Sequence, residues 1–580
     1  MATQTSPSAA SPAHRPIVAA AATVVSVLKR DILVLAWYLL LALWAVSPML
    51  SDPRQKVLGE LTDNVHYVYV AGWSAQALFL GKSPFIDPRL NYPDDLALGS
   101  NDSPYLSFLL VAPVTLVFGP VAGYNLMIVL SHVLSGYCTY LWARRVTGHQ
   151  VAAVFAGTAF MLTPFRIFRS LGHANLVSTQ MMPLFFWALD NCVSKKDTSE
   201  FKLWMLGLAV FLVASSSQYL LIICLVTGAL YALGFLLPDL RFILTKGWRI
   251  VASVIFGAMI GSLPAISVLS SGLDPFNIGA TRLWSADPLN FLLPSSLHPI
   301  WGAWVNSMRP EPYATEKTLY VSLVALVVAG LGLAAVWRRS ERKRLLVWAL
   351  TALGAAIFAL GTDLWLNNQP LSRSDPFWLP VYYLAKLPLL NIMRVWSRFG
   401  IVTILFVALA SSFGVRAVLQ SIRQTWLKPV LGAALLLVLL IDLMPGTPPA
   451  SVLQPRPIDR WLAQQTGDFA VALLPVDKPM LNDLAIFGSL FHGKQMPAYL
   501  HNAHQPRAYK DFAAMALDFP SADTLQYMRW RKFKYIILDK AQYNGWRAPV
   551  WAELAPQLAR FPELTYVTEV DGYVVLALRP

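Results

Sequence analysis

Charge is scarce in this chain: Asp, Glu, Lys and Arg together make up 13% of its 580 residues, about half the share of an ordinary soluble protein. A soluble chain of this length would divide into several cores, each needing a polar shell, and there are too few charges to coat them. Cysteine is as sparse. Cys138, Cys192 and Cys224 each lie inside an apolar stretch without metal-ligand spacing, so they define no zinc site and indicate no redox compartment. No glycine-rich phosphate loop ending in Gly-Lys-Ser/Thr, no zinc-protease histidine pair and no Gly-x-Ser-x-Gly elbow occurs, which sets aside ATP hydrolysis by the chain itself and the corresponding hydrolases. There is no internal repeat, so the inverted halves of many secondary transporters are not supported.

Apolar residues make up the difference, at 56% of the chain with a mean hydropathy of +0.51. This composition specifies an integral membrane protein. The net charge of +14 matches basic residues collected in cytoplasmic loops, and nothing resembles a nucleic-acid module. Residues 1–28, rich in Ala, Ser, Pro and Thr, form a disordered cytoplasmic tail. Apolar runs long enough, or nearly so, to cross ~30 Å of hydrocarbon occur at residues 32–50, 122–143, 150–164, 175–193, 203–217, 218–237, 249–270, 318–337, 344–361, 396–416 and 428–445. About eleven transmembrane helices put Lys29/Arg30, Arg144/Arg145, Lys195/Lys196, Lys246/Arg249, the cluster Arg338 to Arg344, and Arg423/Lys428 on one side. The N-terminus is then cytoplasmic, and the outer loops 51–121 and 271–317 and the tail 446–580 are extracytoplasmic. Residues 103–119, interrupted by Pro104 and Pro113, are expected to lie on or dip into the outer leaflet.

The fold class expected is therefore an all-α polytopic membrane protein over residues 29–445 with a small extracytoplasmic α/β domain over 446–580. In that tail, Phe469–Val476, Lys534–Asp539 and Tyr573–Leu578 have the composition of short buried strands, and Ser521 with Asp523 and Thr524 begins a helix.

The outer segments carry particular residues. They include Thr62-Asp63-Asn64, Tyr67-Val68-Tyr69, Trp73, the run Ala77 to Phe85, Tyr92-Pro93, Ser103-Pro104-Tyr105-Leu106 and Phe118-Gly119, before a span that ends in Arg144-Arg145. In layout, over roughly residues 30–445, this chain resembles the GT-C superfamily of membrane glycosyltransferases, which use polyprenyl-phosphate-linked sugars. Leu297-His298-Pro299 with Trp301-Gly302, and Arg394 followed by Ser397-Arg398-Phe399, also look like the YfhO-type branch. The resemblance implies an inverting glycosyltransferase of the cell inner membrane. It would transfer a hexosyl or pentosyl group to a glycolipid, polysaccharide or protein acceptor on the outer face. In the superfamily an acidic residue of the first outer loop serves as base or metal ligand; Asp63 occupies that place, with Asn64 where a second acid is often found.

Such chemistry needs a carboxylate near the acceptor hydroxyl and cations near a phosphate that gains charge as the sugar leaves. Asp63 is the candidate base, although the same residue suits an N-cap of the helix that follows it. That helix is expected to lie along the outer surface. Arg166, Arg169, His173, His298, Arg394 and Arg398 are candidates for holding phosphate, against snorkelling to headgroups or, for the histidines, a structural role. Tyr92, Asn175 and Gln218 are candidates for sugar or acceptor contacts, Gln218 standing in a polar turn that also fits a plain hairpin. No cofactor is called for; if a divalent cation takes part, Asp94, Asp95 and Asp102 would be its ligands, though the same cluster suits a solvated turn. The rival is a non-catalytic transporter or scaffold for envelope assembly, which would need ionisable residues through mid-bilayer; the spans are nearly free of charge.

Overall fold

The computed structural model describes residues 31–265, 278–308, 314–371, 378–502 and 505–579. The expected tail 1–28 and the pair Lys29/Arg30 lie outside them. A helix stands at each of the eleven expected spans. Among the described residues four helices are long and apolar enough to cross a membrane unaided: Pro120–Thr147, Gln218–Leu236, Leu240–Gly261 and Trp396–Ser421. Others are shorter, such as Ile32–Ala45 and Gln150–Met161, because turns and breaks take up the rest of each apolar run; Ile32–Ala45, for instance, continues as a 3-10 turn at Ser47–Ser51. The outward face of Leu240–Gly261 leaves Leu244, Val251, Ile255 and Met259 exposed, an apolar surface suited to lipid and not to water.

Close helix approach depends on missing side chains. A Cβ on Gly157 would collide with the Tyr38 hydroxyl and the Gly136 carbonyl, and one on Gly414 with the Val328 carbonyl. These are the small-residue contacts by which apolar helices associate in lipid. Within the bundle, Trp142, Phe186, Tyr231, Trp348 and Phe406 form a continuous aromatic cluster.

Two segments differ from the sequence expectation. The span expected at 175–193 breaks after Ala174–Val177 and restarts as Met181–Val193. The break frees the Val177 carbonyl, which accepts from Arg166 Nη1 at 2.8 Å and Ser131 Oγ at 2.7 Å. Helix Asp63–Phe79, expected on the outer surface, is buried along almost its whole length. It is covered because the C-terminal segment lies on it: Leu490 meets Gly72, Gln76 Nε2 donates to the Leu490 carbonyl at 3.0 Å, and Arg89 Nη1 donates to that of Ser489 at 3.1 Å. The proline-interrupted stretch forms helix Tyr105–Phe118, packed on Asp63–Phe79 and Pro120–Thr147 with Leu110 and Val117 outward.

Beyond the last long helix, Ala450–Val452 pairs antiparallel with Lys56–Leu58, tying the linker to the first loop. A four-stranded sheet follows in the order Ala470–Leu474, Phe533–Asp539, Tyr573–Leu578, Leu564–Val570, with the first pair parallel and the others antiparallel. Strand alternation splits its side chains between two cores. Val471, Tyr535, Ile537 and Val575 join the core of the helical bundle, while Ala472, Ile536, Leu538 and Leu576 pack against Phe512, Leu525 and Met528. The sheet is thus fused to the bundle through one face. Ser521 caps helix Ala522–Trp530 by accepting from the Thr524 amide. Strand Leu564–Val570 adds to the three expected strands and forms the edge of the sheet, paired with Tyr573–Leu578.

Candidate active site

A cleft of about 1260 Å³ opens between the N-terminal end of helix Asp63–Phe79, helix Tyr105–Phe118, the ends of three long helices and the C-terminal segment. One part is apolar, lined by Leu106, Leu109, Phe211, Leu221, Ile222 and Leu225. The other is polar and holds Asp63, His173, Asn175, Gln218, Arg394 and Arg398 from the sequence candidates, together with His66, Tyr219, Glu316 and His501.

A charge cluster organises the polar end. Glu316 accepts from Arg398 through both oxygens, at 2.6 and 3.1 Å, and from Arg169 Nη2 at 2.7 Å. Its backbone carbonyl accepts from Ser397 Oγ at 2.8 Å. Burial would raise the Glu316 carboxyl, but the Arg169 and Arg398 guanidiniums hold it well below the usual carboxylate range. Glu316 is therefore a fixed anion. His173 Nε2 lies 3.6 Å from Glu316 and 3.7 Å from Asp63, and burial lowers it to about 4, more than Glu316 opposite can offset. It is a neutral hydrogen-bonding group at physiological pH. Arg398 also lies over the Tyr219 ring at 4.5 Å, and Arg394 beside Trp284 at 5.6 Å. Arg394 and Arg398 both line this end of the cleft, where guanidinium groups can meet an anionic group.

Three carboxylates line the cleft among the described residues: Asp63, Asp102 and Glu316. Asp102 is consumed by structure. It accepts from Asn175 Nδ2 at 2.8 Å, Ser217 Oγ at 2.6 Å and the Gln218 amide at 2.7 Å, with Tyr219 N at 3.3 Å. This is an anion at a helix N-terminus, stabilised by the free amides and the helix dipole. Asp63 differs, with its side chain 48% exposed and only the neutral His173 within ion-pair range. It makes no capping bond of its own: the residue before it, Thr62, is the N-cap and donates its amide to Asn64 Oδ1.

Several sequence candidates stand elsewhere. Arg166 is turned into the bundle, where it donates to Thr179 as well as Val177 and supports the break described above. Both nitrogens of His298 are used: Nδ1 accepts from the Ile300 and Trp301 amides at 3.1 and 3.2 Å, so Nε2 donates to the Ile441 carbonyl at 2.9 Å. It holds the loop after residue 278 against the last long helix. The Tyr92 hydroxyl donates to the Arg531 carbonyl at 2.7 Å and its ring meets Phe533, so it docks the first loop onto the sheet. Asp94 and Asp95 are exposed, apart from Asp102. Among the described residues no three His, Cys, Asp or Glu groups converge as a metal site would require. Asp102→Asn is expected to cost about 1–3 kcal/mol, read as a lowered melting temperature of the purified protein. A melting temperature that follows added Mg²⁺ in the parent and not in the variant would return Asp102 to a metal.

Sequence reasoning did not pick out His66, Glu316 or His501 as site residues. For His66 a signal existed: Asp63, His66 and Tyr67 stand at i, i+3 and i+4 on one helix face.

The chain shares its fold with the arabinofuranosyltransferase AftD from mycobacteria, at a TM-score of 0.56 and 13% identity. The match covers 95% of this chain but only 42% of AftD. ArnT from Cupriavidus metallidurans in the apo state matches with a TM-score of 0.48 at 13% identity, over 95% of this chain and 98% of that one. The AglB oligosaccharyltransferase from Archaeoglobus fulgidus matches with 0.45 at 12% identity, over 95% and 74%. No curated protein matches the chain in sequence. A family described as a domain of unknown function, DUF6311, matches residues 32–444. The chain therefore belongs to the DUF6311 family, on the fold of the GT-C membrane glycosyltransferases.

Proposed function

We propose that this protein is an inverting glycosyltransferase that moves one sugar from a polyprenyl-phosphate carrier to a hydroxyl of an acceptor on the extracytoplasmic face. The observation that carries the reading is that Asp63, alone among the described cleft carboxylates, accepts no hydrogen bond from an arginine or a backbone amide, and that it shares the cleft with Arg394, Arg398 and an apolar groove. Asp63 takes the proton of the acceptor hydroxyl. The freed oxygen attacks C1 of the sugar, the C1–O bond to phosphate breaks, and the carrier leaves as polyprenyl phosphate with one more negative charge. Arg394 and Arg398 offset that charge, and the apolar groove takes the first isoprene units. A double displacement with retention needs a second available carboxylate about 5–5.5 Å from the first; Glu316, held by two arginines, does not fit that role. The fold shared with an arabinofuranosyltransferase supports the transferase class.

The reading is tested by supplying purified protein with radiolabelled sugars on polyprenyl phosphates and measuring loss of label from the carrier, by transfer or hydrolysis. Release from none of a broad set of pentose and hexose donors would count against it. The orientation it needs, with N-terminus inside and residues 446–580 outside, predicts that an outer-side reporter fused after Pro580 and an inner-side reporter at Ser340 are both active. A cytoplasmic Pro580 would place the cleft on the wrong face for this chemistry.

A further inference from the structure

The cleft has a second wall, made of neutral groups. His66 is 2% exposed and lines the cleft, yet its Nε2 meets no hydrogen-bond partner. Across from it stands His501 of the C-terminal segment, with ring centroids 6.2 Å apart and planes at 74°. His501 is held in place from its own side of the chain. Asn482 brackets the preceding strand of residues, donating to the Tyr499 carbonyl at 2.8 Å and accepting from its amide at 3.2 Å. Helix Pro479–His492, which carries Asn482, is clamped to helix Asp63–Phe79 as described. Another buried, unpartnered polar atom of the cleft is Asn175 Oδ1.

Polar atoms buried without partners are destabilising, a cost removed when a ligand supplies the missing bonds. Burial, reinforced by His501, pushes His66 down to about 3, so it stays an uncharged imidazole. A hydroxyl, which donates and accepts at one atom, matches a neutral imidazole and an amide oxygen. Aromatic Tyr67, Phe85 and Tyr105 complete the same side, offering flat surfaces to the C–H faces of a sugar ring.

We infer that His66 and His501 form the acceptor subsite and that it takes a carbohydrate with neighbouring hydroxyls, so that the C-terminal segment is part of the site and not an appendage to it. This rests on the donor assignment above, which gives the phosphate to Arg394 and Arg398 and leaves the wall of His66 to the acceptor.

The test uses the purified full-length protein in lipid nanodiscs with three probes: a panel of methyl pyranosides and furanosides, farnesyl phosphate, and a Ser/Thr-containing peptide. Binding is followed by saturation-transfer NMR and tryptophan fluorescence. His66→Phe and His501→Phe keep a ring and remove its nitrogens; each is expected to weaken glycoside binding about tenfold and to leave farnesyl phosphate affinity within twofold, which also reports that the protein is folded. Arg394→Ala should do the reverse. Glycosides that fail to bind the parent protein, or bind both histidine variants as tightly as the parent, would overturn the inference, as would a peptide whose binding alone depends on the two histidines. Failure of farnesyl phosphate to bind the parent overturns instead the donor assignment, and the glycoside result remains readable beside it.

Discussion

Asp63→Asn is expected to lower transfer by about 10²–10⁴-fold while the protein melts at the parent temperature. Asparagine keeps the size of the side chain and its oxygen, and Asp63 makes no capping bond whose loss would unfold the helix. What changes is the ability to take a proton. The affinity for farnesyl phosphate should hold or rise slightly, because a negative charge near the arginine pole is removed. A well-folded Asp63→Asn protein with near-normal transfer would move the base to another residue. Loss of folding would make Asp63 a structural group.

The second large effect is at Glu316. Arg169 is fully buried and Arg398 nearly so, and Glu316 is the partner both share. Glu316→Gln leaves two guanidiniums without their counter-charge, and breaking a buried pair by removing one partner costs about 3–5 kcal/mol. The expected readout is a large fall in melting temperature together with loss of transfer, since Arg398 loses the bidentate contact that orients it. The double variant Arg169→Met/Glu316→Gln removes one of the stranded charges and should recover part of the stability lost by Glu316→Gln alone. Strictly additive losses would mean that the cluster is not coupled. The pH dependence has a definite sign. The Glu316 carboxyl is lowered in the folded protein, so its stabilisation is fully present above the ordinary carboxylate range and is lost as pH falls through the depressed value.

The helices could be located in the sequence because runs of about 20 apolar residues have few alternatives in a chain with so little charge. Their interruptions were not foreseen. The break at residues 178–180 depends on Arg166, which contacts Val177 and Thr179 only in three dimensions; its charge suggested a ligand at the surface. Asp102 misled in the same way. It stands near Asp94 and Asp95 in sequence, but its partners Ser217, Gln218 and Tyr219 lie more than a hundred residues downstream. A lone glutamate such as Glu316, or a histidine such as His501, has no local pattern at all. Their placement emerges only when a loop and the C-terminal segment close on the first outer helix. Asp63, by contrast, follows an apolar span and begins a helix, so its place at the mouth of the bundle could be inferred from order along the chain.

The burial of helix Asp63–Phe79 under Pro479–His492 also orders events during synthesis. About 400 residues separate the two helices, and at about 5–20 residues per second the first waits roughly 20–80 s for its cover. Throughout that interval the growing chain holds a cleft that lacks one wall. An incomplete chain therefore exposes Gly72 and Gln76, which the folded protein covers with Leu490.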